Sequence, residues 1–288
     1  PQPIDKPQSK PRSVASRPIA LAMAAAVSVA TIGTWLSWSA LTTDPSPIAQ
    51  IAYSTGGYAV TPPGDGTSDL LSGSTIRTSN EGRMLLVLDA HTTVRLDQST
   101  RATLRSGDEI YLHSGRLYLD SHGGSSQVQV TTKRAAVTKV GTQFEVSVTG
   151  EELEIAVREG QIKVQMDDTQ TLAKASNGLG EVLHYDARGQ QSKDIVATTD
   201  PKRWHWTQLS RPDFDIASAT YYEYLNWAAR ERGLTLRFAD EMLEQSAKNQ
   251  TGGGRYDASD DDIDEALYAD GFFARAAGEA HELLVARP

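Results

Sequence analysis

Residues 140–164 read VGTQFEVSVTGEELEIAVREGQIKV. Phe144, Val146 and Val148 alternate with Gln143, Glu145 and Ser147, and Leu153, Ile155 and Val157 repeat the pattern after Thr149-Gly150-Glu151. In an extended chain successive side chains point to opposite faces, so each run presents one apolar and one polar face. The stretch predicts three consecutive strands, 142–148, 153–157 and 161–166, turning at Gly150 and at Glu159-Gly160. Its apolar face belongs in a core and its polar face in water. It contains no metal cluster, phosphate loop or nucleophile–base pattern.

The flanking sequence continues in the same manner from about 45 to 198. Further short apolar runs occur at 48–53, 84–88, 93–96, 102–104, 109–112, 116–119, 128–131 and 136–139, separated by turn residues. A loose repeat runs Gly82-Arg83-Met84, Gly115-Arg116-Leu117 and Gly160-Gln161-Ile162, each read as a glycine at positive φ opening a strand. The spacings of 33 and 45 residues are unequal. That excludes a strict solenoid, which keeps a fixed period, and leaves an antiparallel β-sandwich or an irregular β-roll.

The 288 residues suffice for two domains and carry a net charge of −9, with no Lys/Arg cluster along the large C-terminal portion of the sequence. Nucleic acid is therefore not expected as a partner. There is no cysteine, which excludes disulfides, thiol nucleophiles and cysteine-bound zinc.

Before the β tract, Ile19–Leu41 holds no charged residue over 23 positions. A helix of that length reaches about 34 Å, enough to cross a hydrocarbon core of roughly 30 Å. Segment 18–41 is thus expected to be a transmembrane helix, with Arg17, Trp35 and Trp38 at its interfaces. Lys6, Lys10, Arg12 and Arg17 precede it, whereas only Asp44 follows closely. The positive-inside rule then puts residues 1–17, a disordered Pro-rich tail, in the cytoplasm and the rest outside the inner membrane. The alternative is a cleaved signal peptide. The sequence starts at Pro1 rather than Met, so either a leader has been removed or the numbered chain is a fragment.

Residues 199–212 read as a linker and 213–288 as a small α+β domain. Pro212–Ile216 reads as a strand. Ser218 caps a predicted helix over 219–232 with Tyr221, Leu225, Ala228 and Ala229 on one face, and Gly233 stops it. Thr235–Phe238 is a strand and a polar loop follows. A third strand starts at Arg255–Tyr256. Ser259 caps a second helix, and 272–276 and 282–285 pair as strands.

Sites of chemistry are sparse. The acids of 257–265 lack the glycine and glutamate that a calcium loop requires and suit helix capping. Gly252–Gly254 is followed by acids, not by a Walker lysine. Six scattered histidines form no metal spacing, and no serine elbow occurs. No catalytic residue, cofactor or metal is therefore assigned. Trp204, Trp206 and Trp227 either pack between domains or offer a partner-binding patch.

Val137, Gly141, Thr142, Phe144 and Val146, then Ala156, Val157, Glu159, Gly160, Ile162 and Val164, resemble the FecR domain of inner-membrane regulators. In that resemblance Gly141, Thr142, Phe144 and Gly160 are structural motif residues. The segments 214–216, 224–240, 254–272 and 282–285 resemble the STN domain, a small βαβ-βαββ unit. Together these imply a relay with no enzymatic activity. It would take a signal from the signalling domain of an outer-membrane TonB-dependent receptor of the iron/siderophore uptake type. It would pass it to an extracytoplasmic-function sigma factor through a cytoplasmic segment. The alternative is a membrane-anchored envelope-binding or scaffold module.

Overall fold

The structure is a computed structural model that describes residues 46–62, 67–122, 127–211, 214, 218–251, 273–277 and 281–286. The predicted transmembrane helix at 18–41, with Arg17, Trp35 and Trp38, lies outside these residues. So do all but Phe214 of the expected strand Pro212–Ile216, the strand start at 255–256 and the helix from Ser259. Among the described residues no helix is long and apolar enough to cross a membrane. The chain divides into Pro1–Ser46 and Pro47–Pro288, and the second unit holds every element below.

The fold is mainly β. Fourteen strands form one continuous sheet: β1 (Ala49–Thr55), β2 (Tyr58–Thr61), β3 (Asp69–Leu70), β4 (Thr75–Thr78), β5 (Arg83–Asp89), β6 (Thr92–Leu96), β7 (Arg101–Ser106), β8 (Glu109–Ser121), β9 (Gln129–Thr131), β10 (Ala136–Thr149), β11 (Glu152–Met166), β12 (Thr169–Ser176), β13 (Leu179–Tyr185) and β14 (Gln191–Ala197). Every pairing in it is antiparallel except β8 with β9.

The predicted run of three strands at 142–166 is two. β10 and β11 are 14 and 15 residues long and pair along nearly their whole length, with register shifts between Val140 and Phe144. Gly150 turns the hairpin as expected, but Gly160 does not turn the chain. It lies inside β11 at φ +74, opposite Gly141 of β10 at φ +58. A Cβ on Gly160 would lie 2.4 Å from the Gly141 carbonyl oxygen, so only glycine lets the two bends nest. Gly115 likewise sits inside β8 at φ +89.

These bends let three long strands serve two arms of the sheet. The first halves of β8 and β10 and the last half of β11 pair with β7, β9 and β12. Their other halves pair with β6, with each other and with β13. Both arms close on one core. Ile110, Val130, Val137 and Ile162 come from one arm and Leu119, Phe144, Val146, Ile155 and Val157 from the other, all fully buried.

After the sheet come α1 (Pro201–Gln208), α2 (Tyr221–Arg232), β15 (Thr235–Phe238), α3 (Glu241–Asn249), β16 (Phe273–Ala277) and β17 (Glu282–Ala286). Residues 201–208 are thus a helix inside the tract read as a linker. Asp200 accepts a hydrogen bond from Lys202 N, and Pro201 stands in the first turn, which needs no N–H donor. α2 starts two residues later than expected. Thr220, not Ser218, is its cap, because Glu223 completes a reciprocal capping box with Thr220. The expected apolar face is buried, and Gly233 ends the helix at φ +69. α3 replaces the predicted polar loop. Its only buried residues are Leu243 and Ala247, one turn apart, a pattern too short to register as a helical period.

Candidate functional site

The polar face of the opening stretch is where the sequence and the structure part. Gln143 and Glu145 were expected in water, yet they are 1% and 2% exposed. α1 and α2 cover them. Cross-strand pairing lines up Arg95, Tyr118, Glu145, Ala156 and Val182 on that face, with Asp120, Gln143 and Arg158 beside them. Tyr118, Ala156 and Val182 form a small apolar cluster with Trp204 and Trp206 of α1.

Around that cluster, charges interlock in both directions. Arg95 of the sheet grips the carboxylate of Glu231 in α2 through two nitrogens, at 2.6 and 2.9 Å, and donates to the Thr207 carbonyl at 2.8 Å. Arg158 donates to the carbonyls of Thr198 and Glu231 at 2.9 and 3.1 Å, satisfying a carbonyl at the C-terminus of α2. In the opposite sense Arg230 of α2 reaches Asp120 and Glu159, and Arg203 of α1 reaches Glu145 and Glu154. The α2 cap itself presses on the sheet, since a Cβ on Gly233 would lie 2.1 Å from the Thr198 carbonyl.

Burial acts differently on the two acids. It pushes the Asp120 carboxyl up, but Arg230 and Arg95 outweigh it and hold the group below its ordinary value. Burial wins at Glu145, which is raised despite Arg203, Arg116 and the Trp206 indole. Beside the joint lies an open, polar cleft of about 510 Å³, lined by Arg158, Glu159, Asn226, Arg230, Arg237 and Phe238 among others.

The residues singled out in the sequence separate accordingly. Trp204 and Trp206 are 1% and 6% exposed, and their indole nitrogens donate to the Ala197 carbonyl at 3.1 Å and to Glu145 at 2.7 Å. They are packing residues of the joint and offer little free surface. Trp227 is half-buried elsewhere, against Phe214 and Tyr224. Gly141, Thr142, Phe144 and Gly160 build the bent hairpin, and Phe144 is core. Sequence reading missed Arg95, Asp120, Arg158, Arg203, Arg230 and Glu231. A partial signal existed: charged residues at strand positions flanked by apolar ones, in a chain where both faces could be covered.

Residues 74–163, which include the bent-strand glycines Gly115, Gly141 and Gly160, match the family described as FecR protein. No curated protein matches the chain. Two crystal structures from Parabacteroides distasonis, each described as that of a candidate anti-sigma factor, are similar, at 16% and 17% identity. Each covers 74% of this chain, and 98% and 99% of that chain, with a TM-score of 0.39.

Proposed function

We propose that this protein is a FecR-type signal relay of a Gram-negative inner membrane, with residues 18–41 as its single span and the N-terminus in the cytoplasm. Its C-terminal part, of STN type, reads the signalling domain of an outer-membrane TonB-dependent receptor. The span passes that state inward to an extracytoplasmic-function sigma factor of an iron/siderophore uptake system. The protein carries out no chemistry on a substrate.

The observation that carries this reading is the joint. A FecR domain is fastened to the following unit by reciprocal buried ion pairs rather than by a loose linker. A ligand that shifts one body therefore has to move or break the other's charge partners. The test is to express each extracytoplasmic-function sigma factor of the native host with a transcriptional reporter for its own promoters, with and without iron limitation. Deleting the gene should change reporter output or abolish induction. Replacing the gene with R95L/E231L should alter induction without loss of the protein from the membrane. Indifference of every reporter to deletion would sink the proposal.

A further inference from the structure

The arm of the sheet away from the joint carries two arginines without matching acids. Arg77 of β4 and Arg101 of β7 are direct cross-strand partners, and both are exposed. Like charges placed opposite each other on neighbouring strands destabilise a sheet. Among the described residues neither has an acidic ion-pair partner, whereas most other arginines do. Arg105, on the same face of β7, lies 4.2 Å over the Tyr111 ring and pairs with Glu109 at 2.8 Å. His113, at the register shift of β8, bonds Thr103 at 2.8 Å. Its imidazole is held low by burial and by the charges of Arg101, Arg105 and Arg77. This gathering occurs in a chain of net charge −9.

We propose that Arg77, Arg101, Arg105 and His113 form a docking face for the phosphate headgroups of anionic phospholipids. The inference rests on the membrane-anchor reading above. Residues 42–48 are the only chain between the apolar run and β1, and seven residues reach at most about 25 Å. The β body would then stay close to a bilayer, where each arginine near an anionic surface strengthens association about fivefold. An unmatched arginine pair, costly within the sheet, is matched by phosphate.

The absence of cysteine allows a clean probe. Gly107 lies in the β7–β8 turn beside Arg105, and a Cβ there meets nothing within 4 Å. The full-length G107C chain, labelled with an environment-sensitive fluorophore, would be reconstituted in vesicles carrying a lipid-borne quencher. Quenching should be strong with phosphatidylglycerol, weak with phosphatidylcholine alone, and lost at high salt. It should survive R77K/R101K and fall about 25-fold in apparent affinity in R77Q/R101Q, two fivefold steps. Equal quenching in both lipids, or in both variants, would overturn the docking face. So would displacement by millimolar inorganic phosphate without any lipid dependence, or binding to duplex DNA instead. Flotation with phosphatidylcholine vesicles tests the anchor separately. If the chain does not float, the anchor reading fails, and flotation with phosphatidylglycerol vesicles still decides the docking face.

Discussion

Arg95 in β6 and Glu231 in α2 stand 136 positions apart, yet they meet as a two-pronged ion pair with side chains 1% and 5% exposed. The geometry is that of a specificity device. Removing two charges from water costs several kcal/mol per ion, which only good geometry recovers. The pair therefore selects one docking of the C-terminal unit more than it adds net stability.

Truncating one partner should be worse than removing both. R95L leaves Glu231 buried without its main cation, and a loss of about 3–5 kcal/mol is expected. R95L/E231L should recover a large part of it. Urea denaturation followed by tryptophan fluorescence reads this directly, because Trp204 and Trp206 lie in the joint. A double variant as unstable as the single one would refute the reading.

Two glycines of one hairpin should respond differently to alanine. Gly150 is at φ +61 with open space around it, so G150A should cost only the left-handed backbone penalty, about 1–2 kcal/mol. G160A adds a collision with the Gly141 backbone and should cost distinctly more, on the order of 3 kcal/mol or above. Comparable melting temperatures for the two variants would contradict the nested-bend account.

Acid should weaken the joint through Asp120. Its folded value lies below the ordinary 3.8, so its contribution is complete above that value and is lost as pH falls through the lower folded one. The stability gap between the native chain and D120N should be full at pH 7 and should shrink as pH drops below about 4. Glu145, raised by burial, runs the other way: its protonation on acidification relieves a cost that the folded state carries at neutral pH. A gap that stays constant with pH would exclude this role for Asp120.

W206F keeps an aromatic side chain, though one smaller than indole, and removes the donor to Glu145. A buried carboxylate then lacks one hydrogen bond, at a cost of about 1–3 kcal/mol. W204A, in contrast, should cost about 3–5 kcal/mol by opening a cavity against Tyr118. An undiminished denaturation midpoint for W206F would show that the indole–carboxylate bond contributes nothing.

The alternation in residues 142–157 correctly placed Phe144, Val146, Leu153, Ile155 and Val157 in the core, because apolar periodicity is a local property. Helix α2 and strand β15 were legible for the same reason. The positive φ expected at the three repeat glycines holds at Gly115 and Gly160 but not at Gly82, and its effect on the strands was not anticipated. A glycine at positive φ turns a chain or bends a strand depending on what pairs beyond it, and the pairing is non-local.

By itself, then, the sequence determined which face of each strand is apolar, where α2 ends, and that the chain has no thiol chemistry. Only the tertiary structure decided that the polar face is also buried. Gln143 and Glu145 read as solvated, and Asp120 and Arg95 were not singled out, because periodicity identifies a core face but not what covers the opposite one. Partners at separations such as 61 positions for Glu145 and Trp206, or 110 for Asp120 and Arg230, supply the hydrogen bonds and counter-charges that make that burial affordable.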